Sequence, residues 1–368
     1  MRTRFITLLF KAMIAAAAAG CGSHTDTLGP GGPAPADTIP TVKSLSVLET
    51  DAGRVAWSQD GSLIAYDKIG ADGYADVWIM NPDGTNKANL TDGKPGLPGK
   101  HMGNPAWHPS GDWIVFQAER AVHVGSSDQA APGVGLFNDL WAIKRDGTRS
   151  YQLTTITAGC ATLHPLFSHD GASMLWCESG SGLTDWAVKL GDFLVLADSV
   201  SLSNVRTLRP GNPSGAVFYE TGGDFFPDNQ TFSFTGNLEP GQHWTGMDIY
   251  TFQPATASLS RKTQTMTEWD EHGHVSPDGK WIVWASTRGY AFDPVTLAGY
   301  RMDLWVMRAD GSGQQRLTYY NEPGHAEYTG QPMVCGDLAW SPDASKIVGY
   351  VFIFGQPNHG NVVKFELE

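Results

Sequence analysis

Apolar runs of five or six residues alternate with Pro/Asp/Gly turns along residues 41–368, and the alternation recurs. Six segments align: "VAWSQDGSLIAY" (55–66), "PAWHPSGDWIVF" (105–116), "PLFSHDGASMLW" (165–176), "GDFFPDNQTFSF" (223–234), "GHVSPDGKWIVW" (273–284) and "DLAWSPDASKIVGY" (337–350). Each reads as a strand, a tight turn and a second strand, because Asp bonds its own backbone and Gly supplies positive φ. A third strand is expected from Asp76, Asp139, Asp192, Asp248, Asp303 and Asn361. Several units then close with a polar strand: "KANLT" (87–91), "SYQLT" (150–154) or "QQRLT" (314–318). Helical periodicity is not evident after residue 40. The pattern predicts an all-β chain, a six-bladed β-propeller of four-stranded antiparallel blades. The sixth unit ends after its third strand, so "TVKSLSVL" (41–48) is expected to complete that blade and close the ring, removing exposed edges.

Composition agrees with this pattern. Only 17% of the 368 residues are charged, against 43 Gly, 22 Pro and 13 Trp. A net charge of −13 argues against binding nucleic-acid backbones or anionic membranes through bulk charge. Beyond the N-terminus no apolar run is long enough to span a bilayer. Residues 1–20 read as a signal peptide: Arg2 and Arg4 precede the apolar "FITLLFKAMIAAAAAG". "AAGC" (18–21) resembles the bacterial lipoprotein signal, with Cys21 as the lipidated residue. Gly22 in place of Asp implies attachment to the outer membrane, facing the periplasm. Residues 21–40, rich in Gly, Pro and Thr, are expected to be a flexible tether. Cys160, Cys177 and Cys335 remain; a Cys160–Cys177 pair stays open.

The turns "WSQDG" (57–61), "SPDG" (276–279) and "WSPD" (340–343), with "NPDGT", "KRDGT" and "RADGS" ahead of the "LT" strands, resemble TolB-type propeller repeats. The resemblance covers residues 41–368 and is degenerate in units 3 and 4. It implies the isolated propeller module, a relative of WD-repeat domains, and does not imply a role in the Tol system.

In such blades the tight turns share one face and the long connections the other. The long connections are expected at 118–138, 178–191, 236–247, 287–302, 319–336 and 353–360, and function tends to sit on such loops. His101, His123, His164, His243, His272, His274, His325 and His359 fall on that side or at the start of an innermost strand, whereas His108 and His169 sit in tight turns. Trp186, Trp244, Trp269, Tyr290, Tyr300, Tyr319, Tyr320 and Tyr328 crowd the same loops, either to stack on ligands or to pack the loops down.

Three residues before the Trp position stand Arg54, Asn104, His164, Gly222, His272 and Asp337, a ring expected to face the channel mouth. Unit 5 adds His274, which strict alternation would place on the same side as His272. His272, His274, His164 and Glu271 form a candidate site for Mn, Zn or Ca; the alternatives are polar packing or direct ligand contact. Oligogalacturonate lyases resemble the chain in placing channel histidines around a divalent metal, with Gln331 or His359 as further candidates here. No G-x-S-x-G elbow is present. Two readings stand: an exported binding module for protein, peptide or glycan ligands on the long-loop face, or a metal-dependent propeller enzyme of the polysaccharide-lyase kind.

Overall fold

A computed structural model of the chain describes residues 38–356 and 360–368; the expected leader, Cys21, residues 22–37 and His359 lie outside the described residues. Six four-stranded antiparallel sheets form the blades of a propeller. Their innermost strands are Ala52–Trp57, Met102–Trp107, Thr162–Phe167, Tyr219–Glu220, Asp270–Val275 and Met333–Trp340. The strand Val42–Thr50 is the outer strand of blade 6, pairing with Asn361–Leu367 from Val42↔Leu367 to Thr50↔Asn361. Ring closure is therefore as expected, with the two ends of the domain in one sheet.

Two side-chain devices recur among the blades. In the first turn Ser58 donates to Asp60 (2.6 Å) and its hydroxyl accepts the Leu63 N–H (2.9 Å). Ser168–Asp170, Ser276–Asp278 and Ser341–Asp343 repeat the donation at 2.6 Å. The second device joins the third strand to the fourth. Asp303 accepts from Thr318 Oγ1 (2.8 Å) and from the Tyr320 N–H (2.8 Å), while Thr318 Oγ1 accepts the Leu304 N–H (2.9 Å). Asp248 with Thr263 and Thr265 repeats the arrangement, and Asp76 pairs with Thr91. The Asp that opens each "DLW" run and the Thr that closes each "LT" run thus satisfy buried groups at one blade corner.

Blade 3 departs from the expectation. Its third strand runs Thr184–Leu196 and its fourth Ser199–Leu208, so residues 184–191 are strand and the connection expected at 178–191 shrinks to a tight one. Asp192 lies within the third strand instead of opening it. The hairpin carries Leu194, Val195 and Leu196 exposed, which imitates a buried strand in sequence. Cys160, Cys177 and Cys335 are buried and unpaired, so the open pair is not made. Among the described residues no helix is long and apolar enough to cross a membrane.

Candidate functional site: the polar waist of the channel

Every innermost strand except the short one of blade 4 carries a register shift at the ring position: between Gly53/Val55, Gly103/Ala106, Leu163/Leu166, Glu271/His274 and Gly336/Leu338. At four of the bulges the ring residue adopts left-handed backbone: Asn104 (φ 53°), His164 (47°), His272 (55°) and Asp337 (45°). This conformation is costly for non-glycine residues and clusters at functional positions. The bulge turns the side chain into the channel and frees its N–H from the ladder. Side chains of the preceding blade take up two of these donors: Asn104 N–H donates to Asp67 Oδ2 (2.9 Å), and Asp337 N–H donates to His272 Nδ1 (3.1 Å).

The ring forms a waist within the channel rather than its mouth. On the tight-turn side a funnel of about 490 Å³ is lined by Trp57, Trp107, Trp340, Asp224 and His274 among others. On the long-loop side lies a smaller cavity of about 140 Å³, walled by Trp186, Phe218, Trp244, Trp269 and Tyr300, with Glu220, Glu271 and His272 on its floor. Arg54, His164 and Asp337 line both.

At the waist Glu220 Oε1 lies 2.9 Å from His164 Nε2 and 3.3 Å from His272 Nε2. Asp337 is 3.7 Å from His164, 3.8 Å from His272 and 3.8 Å from Arg54. Asn104 Nδ2 meets His164 Nδ1 at 3.1 Å. The His272 ring threads between the backbones of blades 4 and 6: a Cβ on Gly222 would stand 2.4 Å from its Cδ2, and one on Gly336 2.9 Å from its Nδ1. Glycine at both positions is therefore what admits the imidazole.

The electrostatics follow from burial. Burial would raise the Glu220 carboxyl, but hydrogen bonds from the His164 and His272 rings outweigh it and hold it well below the usual range. Burial raises Glu271, reinforced by the Glu220 and Asp337 charges. Burial would strip the His272 proton, yet Asp337, Glu220 and Glu271 favour it. An imidazolium would have to donate from both nitrogens, whereas the Asp337 N–H faces Nδ1. Two N–H groups cannot face each other, so this geometry keeps His272 neutral with its proton on Nε2, toward Glu220. Glu220 Oε2 is buried with no hydrogen-bond partner.

The structure thus gathers Arg54, Asn104, His164, His272 and Asp337 around one waist, with Glu271 beside His272 (3.9 Å). It sets His274 apart. The bulge breaks the alternation, so His274 faces the funnel and pairs with Asp224 at 2.9 Å. Donor atoms of His164, His272 and Asp337, and separately of Glu220, Glu271 and His272, lie within 4.8 Å of one another. Gln331 is exposed. Most loop histidines serve packing: His101 Nδ1 accepts the Ala75 N–H, His123 bonds Glu119, and His325 stacks on Tyr319. Sequence reading missed Glu220 and Asp67. Glu220 stands two residues before the ring glycine of a degenerate unit; Asp67 is a lone acid in the apolar strand Ile64–Ile69.

No family model matches the chain. A dipeptidyl-peptidase 5 of Porphyromonas endodontalis is 23% identical over 257 residues, covering 60% of this chain and 34% of that protein. The chain therefore spans about a third of that relative. Among solved structures, TolB of Acinetobacter baumannii aligns over 87% of this chain and 64% of its own, at 17% identity and a TM-score of 0.52. A protein assigned as TolB from Agrobacterium tumefaciens aligns over 83% of this chain and 91% of its own, at 17% identity and a TM-score of 0.58. An oligogalacturonate lyase in complex with manganese aligns over 89% and 95%, at 15% identity and a TM-score of 0.51. At these identities the likeness is one of fold. By that fold the chain is a TolB-like six-bladed β-propeller.

Proposed function

We propose that the chain is an exported propeller, lipid-anchored at Cys21 in the cell envelope, that binds protein, peptide or glycan ligands on its long-loop face. The observation that carries this reading is the aromatic cavity above the buried polar waist. Apolar walls with a few convergent polar groups are the usual make-up of a ligand site. Strained backbone and shifted carboxyls gather at the same place. The test is binding of the full chain to peptide and glycan arrays. Ligand recognition should be lost in Trp244→Ala/Tyr300→Ala, which alters the cavity wall, and kept in Gln59→Ala/His169→Ala, which alters the funnel rim. The reverse pattern would move the site to the tight-turn face.

The convergence of donor atoms on the waist favours a second reading, a metal-dependent enzyme of the polysaccharide-lyase kind using Mn, Zn or Ca. Histidine and carboxylate donors suit such an ion. The His272 hydrogen bonds do not. A ligating imidazole donates its other ring N–H to an acceptor, whereas here that nitrogen accepts from Asp337 and the proton occupies the side facing Glu220. The residues converge but are set for hydrogen bonding with one another. Stoichiometric metal in purified protein, lost in His164→Ala/His272→Ala, would establish the enzyme reading instead.

A further inference from the structure

Resting on the binding-module reading, we infer that the long-loop cavity takes an organic ammonium group, its cation clamped by Glu220 and Glu271 and its apolar flank held by Trp186, Trp244, Trp269 and Tyr300. The floor is short of positive partners. Arg54 faces Asp337 at 3.8 Å. His272 and His164 each have Nδ1 within 3.1 Å of an N–H group, from Asp337 and Asn104, and turn Nε2 toward the same oxygen, Glu220 Oε1. Three buried polar atoms lining the cavity have no hydrogen-bond partner: the donors Arg54 Nε and Trp269 Nε1, and the acceptor Glu220 Oε2, in a residue only 7% exposed and beside the equally buried Glu271. One oxygen of Glu220 and one of Glu271 lie within 4.8 Å of each other. A single ammonium donating at about 2.8 Å to each carboxyl group reaches across about 5.6 Å, so one nitrogen serves both.

The walls select the rest of the ligand. Trp269 stacks on Tyr300 with centroids 5.1 Å apart and meets Trp244 edge-on at 5.5 Å. Ring faces beside buried carboxylates attract alkylammonium groups, whereas a small hydrated metal ion gains nothing from indole walls. A cavity of about 140 Å³ admits a group the size of a butyl chain. The same chemistry occurs in a free aliphatic amine and in the amino terminus of a peptide.

Calorimetric titration of the full chain tests this with n-butylammonium, leucinamide, their neutral counterparts 1-butanol and N-acetyl-leucinamide, and MnCl₂. Saturable binding of butylammonium or leucinamide is expected, at least tenfold tighter than its neutral counterpart and at least tenfold weaker in Glu271→Gln. Binding of both amines points to a free amine, and binding of leucinamide alone to a peptide terminus; either supports the assignment. Near-UV circular dichroism checks folding, and if Glu271→Gln unfolds, Trp244→Ala should show the same loss. Manganese binding without amine binding overturns the inference together with the module reading. If neither probe binds while array ligands are still recognised and remain sensitive to Trp244→Ala/Tyr300→Ala, the ammonium assignment falls and the module reading survives.

Discussion

The backbone N–H of Asp337 in blade 6 donates to His272 Nδ1 in blade 5 across 3.1 Å, and this bond couples the two blades at the waist. His272 is also where the carboxylate of Glu220 reaches from blade 4. One imidazole therefore fastens three blades. His272→Ala would leave the Asp337 N–H buried without an acceptor and weaken the setting of Glu220, at a cost of about 2–4 kcal/mol. His272→Asn, whose Oδ1 can occupy the Nδ1 position, should recover part of that loss. Urea unfolding of both variants measures the difference; equal stabilities would mean that the bond contributes little.

Asp67 gives the pH dependence a definite sign. Burial pushes its carboxyl up to about 6 from 3.8, with Arg54 and the Asn104 N–H opposing. The folded state then holds the proton more tightly than the unfolded chain. Its contribution to stability is complete below pH 3.8 and is lost as pH rises through 6. At about 1.4 kcal/mol per unit, the span is roughly 3 kcal/mol. Asp67→Asn keeps an acceptor for the Asn104 N–H and removes the titration. As pH rises from 4 to 7, the unfolding temperature of the variant should therefore fall less, relative to its value at pH 4, than that of the native chain.

Ala344 occupies the turn position where four other repeats place Gly61, Gly111, Gly171 and Gly279, and its φ is 57°. Left-handed backbone costs a residue with a Cβ on the order of 1 kcal/mol. Ala344→Gly should stabilise the chain by about that amount in chemical denaturation, an uncommon direction for a glycine substitution.

Closure of the ring has its own test. Ser46 and Lys364 are cross-strand partners in blade 6. Ser46→Cys/Lys364→Cys should form a disulfide on oxidation and raise the unfolding temperature, the loop-closure entropy of the roughly 320 enclosed residues supplying about 6 kcal/mol before strain. Failure to cross-link would place residues 42–50 elsewhere.

Fold and site were not equally legible. The Ser–Asp turns and the Asp near the start of most third strands are local chemistry, so they recur in the text and reveal the blades. Blade 3 misled because its hairpin exposes Leu194, Val195 and Leu196, and hydrophobicity alone does not distinguish these from core. At the waist, repeat alignment brought out the ring positions Arg54, Asn104, His164, His272 and Asp337. It could not show the bulges, which depend on pairing register. Strict alternation therefore joined His274 to His272 and overlooked Glu220, which reaches the waist only because Gly222 leaves room for His272.

The most direct measurement is a crystal structure of the full chain soaked with leucinamide. Density for the ligand between Glu220 and Glu271, with its side chain against Trp269, is the expected result. Ligand density in the funnel beside Asp224 and His274, or a metal ion centred on His164 and His272, would contradict it.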